Sequence, residues 1–394
     1  MNPHSHSYRA ATMPVAFVAV TVTLVGLLLT RDRQNPFLGP PVWALLAFTV
    51  WICITLPFSI YFEPSLVLWE RSMKIYLMLF VTLSLINTRL KLDVFVWVIA
   101  VSLGFYGVKG GLFTLVTGGG AKVWGPGGFL SENNALGLAM LMTIPLMRYL
   151  QLRSTVRWQK YAFAAAMILT AFAVVGTQSR GALLGLGAMA TFLWWKSKKK
   201  FFLAIALVVV ATALLAFMPE TWWSRMDTMR TYEEDGSAMG RINAWWMAWN
   251  MAQHRFFGGG FDIYTLEQFI LYAPNPTDVH AAHSIYFQVL GEHGFVGLFL
   301  FLTIGVTTWL TAAKAIALAR KDPVHQWAGD LGAMTQVSMV GYATGGAFLS
   351  LSYWDLPYNY MVAVVIALHL VRTSIHESRS AQGDAQPKAD LHQH

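Results

Sequence analysis

Residues 295–313 read FVGLFLFLTIGVTTWLTAA, an uninterrupted run without a charged side chain. A helix of this length crosses the hydrocarbon core of a bilayer, which is roughly 30 Å thick. Similar runs recur along all 394 residues, and the chain is 56% hydrophobic and only 12% charged. Only helices or closed barrels satisfy the backbone polar groups in lipid, and these runs lack the alternation of barrel strands. The composition therefore predicts an all-α, polytopic integral membrane protein.

Hydrophobic periodicity and length predict about eleven membrane spans within a single polytopic domain, residues 1–394. The predicted spans are Pro14–Thr30, Val42–Tyr61, Met73–Ile86, Val94–Val116, Ala135–Tyr149, Tyr161–Val175, Ala182–Trp195, Phe201–Phe217, Phe295–Ala313, Leu331–Leu351 and Pro357–Val371.

Basic side chains predict the orientation of these spans. They fall on alternate loops, at Arg31/Arg33, Arg89/Lys91, Arg148/Arg153/Arg157/Lys160, Lys196/Lys198/Lys199/Lys200 and Lys314/Arg320/Lys321. Such loops are cytoplasmic, so the formal charge of +8 indicates membrane topology and not a nucleic-acid partner. The longest loop, residues 219–283, is then expected outside, with amphipathic helices in it, and residues 374–394 form a disordered cytoplasmic tail. Eleven spans also place the N-terminus outside, so we expect a twelfth, upstream helix in a full-length form.

Arg180 lies in a tight outer turn, residues 176–181, between two apolar helices. One interpretation is an arginine that reaches the lipid headgroups. The other is a guanidinium that binds a diphosphate through two parallel hydrogen bonds, which lysine does less well.

Arg241 follows Ser237, the expected N-cap of an amphipathic interfacial helix. The apolar face of that helix consists of Ile242, Trp245, Trp246 and Trp249, at the spacing of one helical face. An arginine in a first turn opposes the helix dipole, and an anionic substrate group would compensate for it. Alternatively, Arg241 is a rim charge paired with Glu234 or Asp235.

His280 and His283 are three residues apart, on a helix that we expect to start after Pro276. A metal site is weakly indicated, because this pair lacks an obvious third ligand. Both could be structural histidines at the interface. The catalytic interpretation makes His283 a general base for an incoming hydroxyl, since neutral imidazole is available near pH 7.

Three other features of the outer loops are less specific. Glu292 either orients a histidine or sits at the headgroup level. Residues 258–260, three glycines, are expected to form a tight turn. Glu132, Asn133 and Asn134 are expected to help line a substrate groove.

Taken in order, these motifs resemble the O-antigen ligase superfamily. The resemblance rests on Ser179-Arg180-Gly181, Gly240-Arg241 and His283-Ser284-x-Tyr-Phe followed by Gly291-Glu-His-Gly-Phe-Val-Gly297. Residues 102–113 and 237–246 resemble the putative O-glycosylation ligases associated with exosortase A systems. Ser284 departs from the many ligases that have asparagine after the histidine.

The resemblance implies a GT-C-like, inverting, metal-independent glycosyltransferase of the bacterial inner membrane, with its active site facing the periplasm. It implies a glycan donor on undecaprenyl diphosphate, a lipid or protein hydroxyl as acceptor, and no cofactor. Arg180 and Arg241 would hold the diphosphate, His283 would be the base, and His280, Glu292 and Asn134 would contact substrate.

Three other functions stay open at the level of sequence. A polymerase of the same superfamily would use the same donor and extend a chain. A lipid or glycan transporter would place ionisable residues near the membrane midplane. A noncatalytic scaffold would tolerate replacement of Arg180, Arg241 and His283.

Overall fold

The computed structural model describes residues 15–197, 199–227 and 236–384, and in these ranges it contains helices, turns and loops without a strand. The α-helices are α1 (Val15–Leu29), α2 (Pro40–Thr55), α3 (Phe62–Leu85), α4 (Arg89–Val116), α5 (Asn133–Arg153), α6 (Arg157–Gly176), α7 (Arg180–Lys196), α8 (Lys200–Ala216), α9 (Glu220–Asp227), α10 (Gly236–His254), α11 (Leu266–Tyr272), α12 (Ile285–Ala319), α13 (Gln326–Gly345) and α14 (Asp355–Asp384). Short 3-10 helices lie at Leu56–Phe58, Gly128–Leu130, Pro323–His325 and Gly346–Phe348. The all-α prediction is confirmed.

A helix covers each predicted span. Among the described residues, six helical stretches are long and apolar enough to cross a membrane: Pro40–Phe58, Arg89–Val116, Asn133–Arg153, Arg157–Gly176, Ile285–Ala319 and Asp355–Ser380. The chain is thus a multi-pass membrane protein by helix length and composition, and the count of eleven spans stays a prediction.

Glycines bring the spans close together. A Cβ on Gly111 of α4 would lie 2.1 Å from the carbonyl oxygen of Leu169 in α6, and one on Gly107 would lie 2.3 Å from Thr170 Oγ1. Small residues at such contacts are typical of membrane helix pairs, because they let two backbones approach. The α5 helix lies at the centre of the bundle, since most of its residues are buried.

The long helix α12 bends where residues 291–294 read GEHG, because Gly294 has left-handed backbone angles (φ 68°, ψ −172°). The carbonyls freed by the bend accept hydrogen bonds from outside the helix. Gly259 N–H donates to Gly291 O and Gly260 N–H to Glu292 O, each at 2.9 Å. Trp51 Nε1 donates to His293 O at 2.9 Å. The three glycines directly follow a turn at residues 256–257, Gly258 and Gly260 have positive φ, and the segment supplies donors to the bend.

Two predicted elements differ from the structure. The α14 helix continues to Asp384, so the expected disorder is wrong for residues 374–384, while residues 385–394 lie outside the described part. In α10, the buried side consists of Ala244, Met247, Ala248 and Met251, while Trp246 and Trp249 are exposed. Exposed tryptophans are typical of a helix that meets lipid headgroups.

Candidate active site

The helix α10 holds the segment that carries both histidines. Asn243 Nδ2 donates to the carbonyls of Asn275 (2.8 Å) and Asp278 (2.9 Å), and its Oδ1 accepts from Asn275 N–H at 2.9 Å. Trp245 Nε1 donates to the Ala282 carbonyl, immediately before His283, at 2.7 Å. Side chains of α10 thus occupy backbone groups that a helix would have used internally.

The expected helix after Pro276 is therefore wrong. Residues 273–284 are non-helical, and α12 starts at Ile285. His283 has a positive φ of 41°, which is uncommon for a residue with a side chain. His280 and His283 consequently do not share a helical face.

His280 packs directly on α10, beside Arg241. A Cβ on Gly240 would lie 2.4 Å from His280 Nδ1, so a larger residue at this position would displace the ring. The same ring nitrogen lies 2.9 Å from Asp278 Oδ1. This contact explains why residue 240 is a glycine, and it places the His280 ring against α10 with the Asp278 carboxylate close to it.

Arg241 lies in the second turn of α10, because the helix starts at Gly236. The expected dipole penalty is wrong for this reason, since the dipole effect falls off within the first turn. Arg241 acts on His283 through its charge. Burial lowers the pKa of the half-buried His283 below its usual value of 6.5, and the charge of Arg241 lowers it further. His280 contributes in the same direction and Glu132 opposes it.

A polar cavity of about 350 Å³ opens next to His283. It lies between α3, the loop before α5, the start of α12 and the loop before α14. Its polar lining consists of Arg71, Ser72, Ser131, Glu132, His283, Gln288, Ser350 and Tyr353, with Phe129 and Phe261 as aromatic walls. Among the described residues, those that line it do not include Arg180, Arg241 or Asn134.

Arg180 starts α7 at the same end of the bundle. Ser179 caps the helix by accepting from Ala182 N–H at 3.2 Å. The preceding turn is tied to the start of α5, because Asn133 Nδ2 donates to the Thr177 carbonyl at 2.7 Å. The predicted turn is confirmed. It places half-buried Arg180 next to the helix end that Glu132 precedes.

The remaining predicted residues occupy different positions relative to the cavity. Glu132 lines the cavity, whereas buried Asn133 serves the α6–α7 turn and Asn134 is half-buried outside the lining. Glu292 is 3% exposed and accepts a hydrogen bond from Tyr353 Oη, so it lies behind the cavity wall, enclosed by protein.

Arg71 and Phe129 were missed by sequence reasoning. The Arg71 Cζ lies 3.4 Å from the ring centroid of Phe129, in the cavity wall. The available signal was weak: one arginine in a predicted outer loop, far from the motifs in the chain.

A metal site is not evident in the described ranges, where no three His, Cys, Asp or Glu side chains are grouped to hold an ion. The metal-independent reaction and the lack of a cofactor stay predictions.

The comparison with known families bears on the same residues. A family model described as O-Antigen ligase matches residues 165–302, which include Arg180, Arg241 and His283. This match supports the O-antigen ligase superfamily. It supports a membrane glycan ligase or polymerase type of function, with a lipid-linked glycan substrate. Residues 1–155 match a family of unknown function (DUF5935). No curated protein matches the chain.

Proposed function

We propose that the protein is an inverting, metal-independent glycosyltransferase that moves a glycan from undecaprenyl diphosphate to a hydroxyl at the periplasmic face of the bacterial inner membrane. The observation that carries the proposal is the position of His283. Trp245 holds the backbone before it, the charge of Arg241 acts on it, and its side chain lines a polar cavity. The family match covers Arg180, Arg241 and His283.

In this mechanism, His283 removes the proton from the acceptor hydroxyl as the oxygen attacks the anomeric carbon from the face opposite the diphosphate. The bond between the anomeric carbon and the diphosphate oxygen breaks, and undecaprenyl diphosphate leaves with both bonding electrons. Arg180 and Arg241 bind the diphosphate, whose negative charge grows in the transition state, so their contribution is largest there. The lowered pKa of His283 keeps it neutral, and therefore able to accept the proton, at neutral pH.

An apolar cavity supports a lipid-linked donor. It has a volume of about 430 Å³, lies between α12, α13 and α14, and includes Tyr286, Phe301 and Trp309 in its wall. It begins at Ile285 and Tyr286, directly after the histidine segment. The isoprenoid tail would occupy this cavity within the bilayer.

On the resemblance of residues 102–113 and 237–246, the alternative within this proposal is the subgroup of O-glycosylation ligases associated with exosortase A systems, in which the acceptor would be a protein hydroxyl. A polymerase differs from a ligase only in its acceptor.

The decisive experiment is glycan transfer by the purified protein in nanodiscs, from an undecaprenyl-diphosphate glycan, with and without EDTA. We expect transfer to persist in EDTA and to be lost in His283→Ala. The matched control is His254→Ala, since this exposed histidine of α10 lies outside the cavity lining and its hydrogen bond in the described part of the chain is local, to the Asn250 carbonyl. Equal transfer by His283→Ala and wild type would show that His283 is not the general base. In a parallel assay in proteoliposomes, movement of intact donor across the bilayer without a covalent product would indicate a transporter.

A further inference from the structure

Arg71 is an exposed cation in the wall of the cavity. Its guanidinium is stacked on Phe129, and within the described ranges it forms neither an ion pair nor a hydrogen bond. Stacking on an aromatic face fixes the plane of a guanidinium and leaves its N–H donors at the edge. A fixed guanidinium of this kind in a cavity wall is suited to bind oxygen atoms of a ligand.

Glu132 is the acidic counterpart in the same wall. It precedes α5, and its carboxylate makes no capping hydrogen bond. No ion pair joins it to Arg71 or to another residue in the described parts of the chain. The N-terminal end of α5 stabilises a negative charge here. Both side chains are exposed at the cavity, so a hydrogen-bond donor group and an acceptor group there are open to a ligand.

The size and chemistry of the cavity indicate what that ligand is. A volume of about 350 Å³ is near the lower limit of small-ligand sites, about 300–1,000 Å³. A sugar ring offers hydroxyl groups that donate to a carboxylate and accept from a guanidinium, together with an apolar face for an aromatic ring. Gln288 and Ser131 add further hydrogen-bonding groups.

We propose that this cavity is the acceptor site of the transferase, that it binds a terminal sugar, and that Arg71 and Glu132 determine acceptor specificity. The inference rests on the proposed function. His283 lines the cavity, whereas the two arginines assigned to the donor diphosphate lie outside its lining. In this assignment His283 borders the acceptor site, as a proton transfer from the acceptor hydroxyl requires.

The test measures transfer kinetics of the protein in nanodiscs with an undecaprenyl-diphosphate glycan as donor. The acceptor probes are octyl glycosides of neutral hexoses and a peptide rich in serine and threonine. We expect the hexosides to accept glycan in preference to the peptide. Arg71→Gln and Glu132→Gln should each raise the acceptor KM about tenfold, the usual effect of losing a hydrogen bond to a charged group. The donor KM should stay within about twofold of the wild-type value, and Arg71→Lys should be intermediate.

The matched control is Lys74→Gln, one turn further along α3. Lys74 is exposed, pairs with Glu70 at 3.1 Å and does not line the cavity, so both KM values should be unchanged. A rise in donor KM in the Arg71 and Glu132 variants would overturn the acceptor assignment and leave the transferase intact. Preference for the peptide would overturn the sugar assignment. Absence of transfer to every probe and to a membrane lysate would refute the proposed function, and the acceptor site with it.

Discussion

Two histidines ten positions apart, His283 and His293, have opposite surroundings. His283 is half-buried, lines a polar cavity and lies within the field of Arg241. His293 is 1% exposed, its Nδ1 lies 2.8 Å from Thr55 Oγ1, and the rings of Phe48, Phe261 and Tyr353 surround it. The difference shows that one motif can contain a histidine suited to proton transfer and another that fastens the bend of α12.

The largest effect should come from His283→Ala. We expect glycan transfer to fall by about 10²–10⁴-fold, the usual contribution of general base catalysis. The thermal unfolding midpoint should be close to that of wild type, because the side chain is partly exposed and forms no hydrogen bond or ion pair within the described ranges. Transfer kinetics and thermal unfolding in nanodiscs check the two halves of this prediction. A large fall in the unfolding midpoint of His283→Ala would show that His283, like His293, has a structural role.

His293→Ala should do the reverse. Removal of a buried ring leaves a cavity among aromatic side chains and removes one of the two hydrogen-bond partners of Thr55 Oγ1, which keeps the Ile52 carbonyl. The loss of stability should be about 2–4 kcal/mol. The properly folded fraction should still transfer glycan at nearly the wild-type rate. His293→Leu fills much of the space and should recover part of the stability. Loss of transfer in a well-folded His293→Leu protein would show that His293 belongs to the chemistry.

The glycine turn beneath the bend offers a smaller test of the same contrast. A Cβ on Gly258 would lie 2.6 Å from the Glu292 carbonyl, and Gly258 has a φ of 72°. Gly258→Ala should therefore cost about 1–3 kcal/mol of stability through strain. Gly118 is the control, because it also has a positive φ but no atom lies within 4 Å of an added Cβ. The thermal unfolding midpoint should fall less in Gly118→Ala than in Gly258→Ala.

The pH dependence of transfer should sharpen the assignment of His283. The base works when neutral, and burial and the charge of Arg241 lower its pKa, so the acid limb of kcat should lie below pH 6.5. Arg241→Gln removes a cation and should move this limb to higher pH. Glu132→Gln removes an anion and should move it to lower pH. The groups that face His283 are Arg241 on α10, His280 in its own segment, and Glu132 and Arg71 across the cavity. Shifts in the same direction for both variants would contradict the assignment.

Sequence reasoning succeeded where a local pattern determines the structure. The turn before Arg180 was predicted, and the three glycines expected to turn directly follow a turn at residues 256–257, because short glycine-containing connections follow from local backbone preferences. It failed for the histidine segment, where the spacing of His280 and His283 suggested a helix. Asn243 and Trp245 of α10 bind that segment from outside, and such long-range hydrogen bonds leave no periodic signal.

Cavity residues show the same limit. Glu132 and Asn134 were both expected to line a substrate groove. Glu132 lines the cavity, whereas Asn134 lies outside its lining. Arg71 lines the same cavity as His283 only because the tertiary fold arranges α3, the start of α12 and the loop before α14 around it, and no spacing in the chain encodes that arrangement.

By itself, the sequence determined that this is a multi-pass helical membrane protein, since apolar length and the cost of unsatisfied backbone groups in lipid leave little choice. Its motifs also identified Arg180, Arg241 and His283 as residues to consider together. Only the tertiary structure decided that His283 borders the cavity while His293 is enclosed, and that Arg71 and Glu132 line the same cavity. The physical reason is that burial and the field of distant charges depend on packing between helices, which residue type and spacing do not specify.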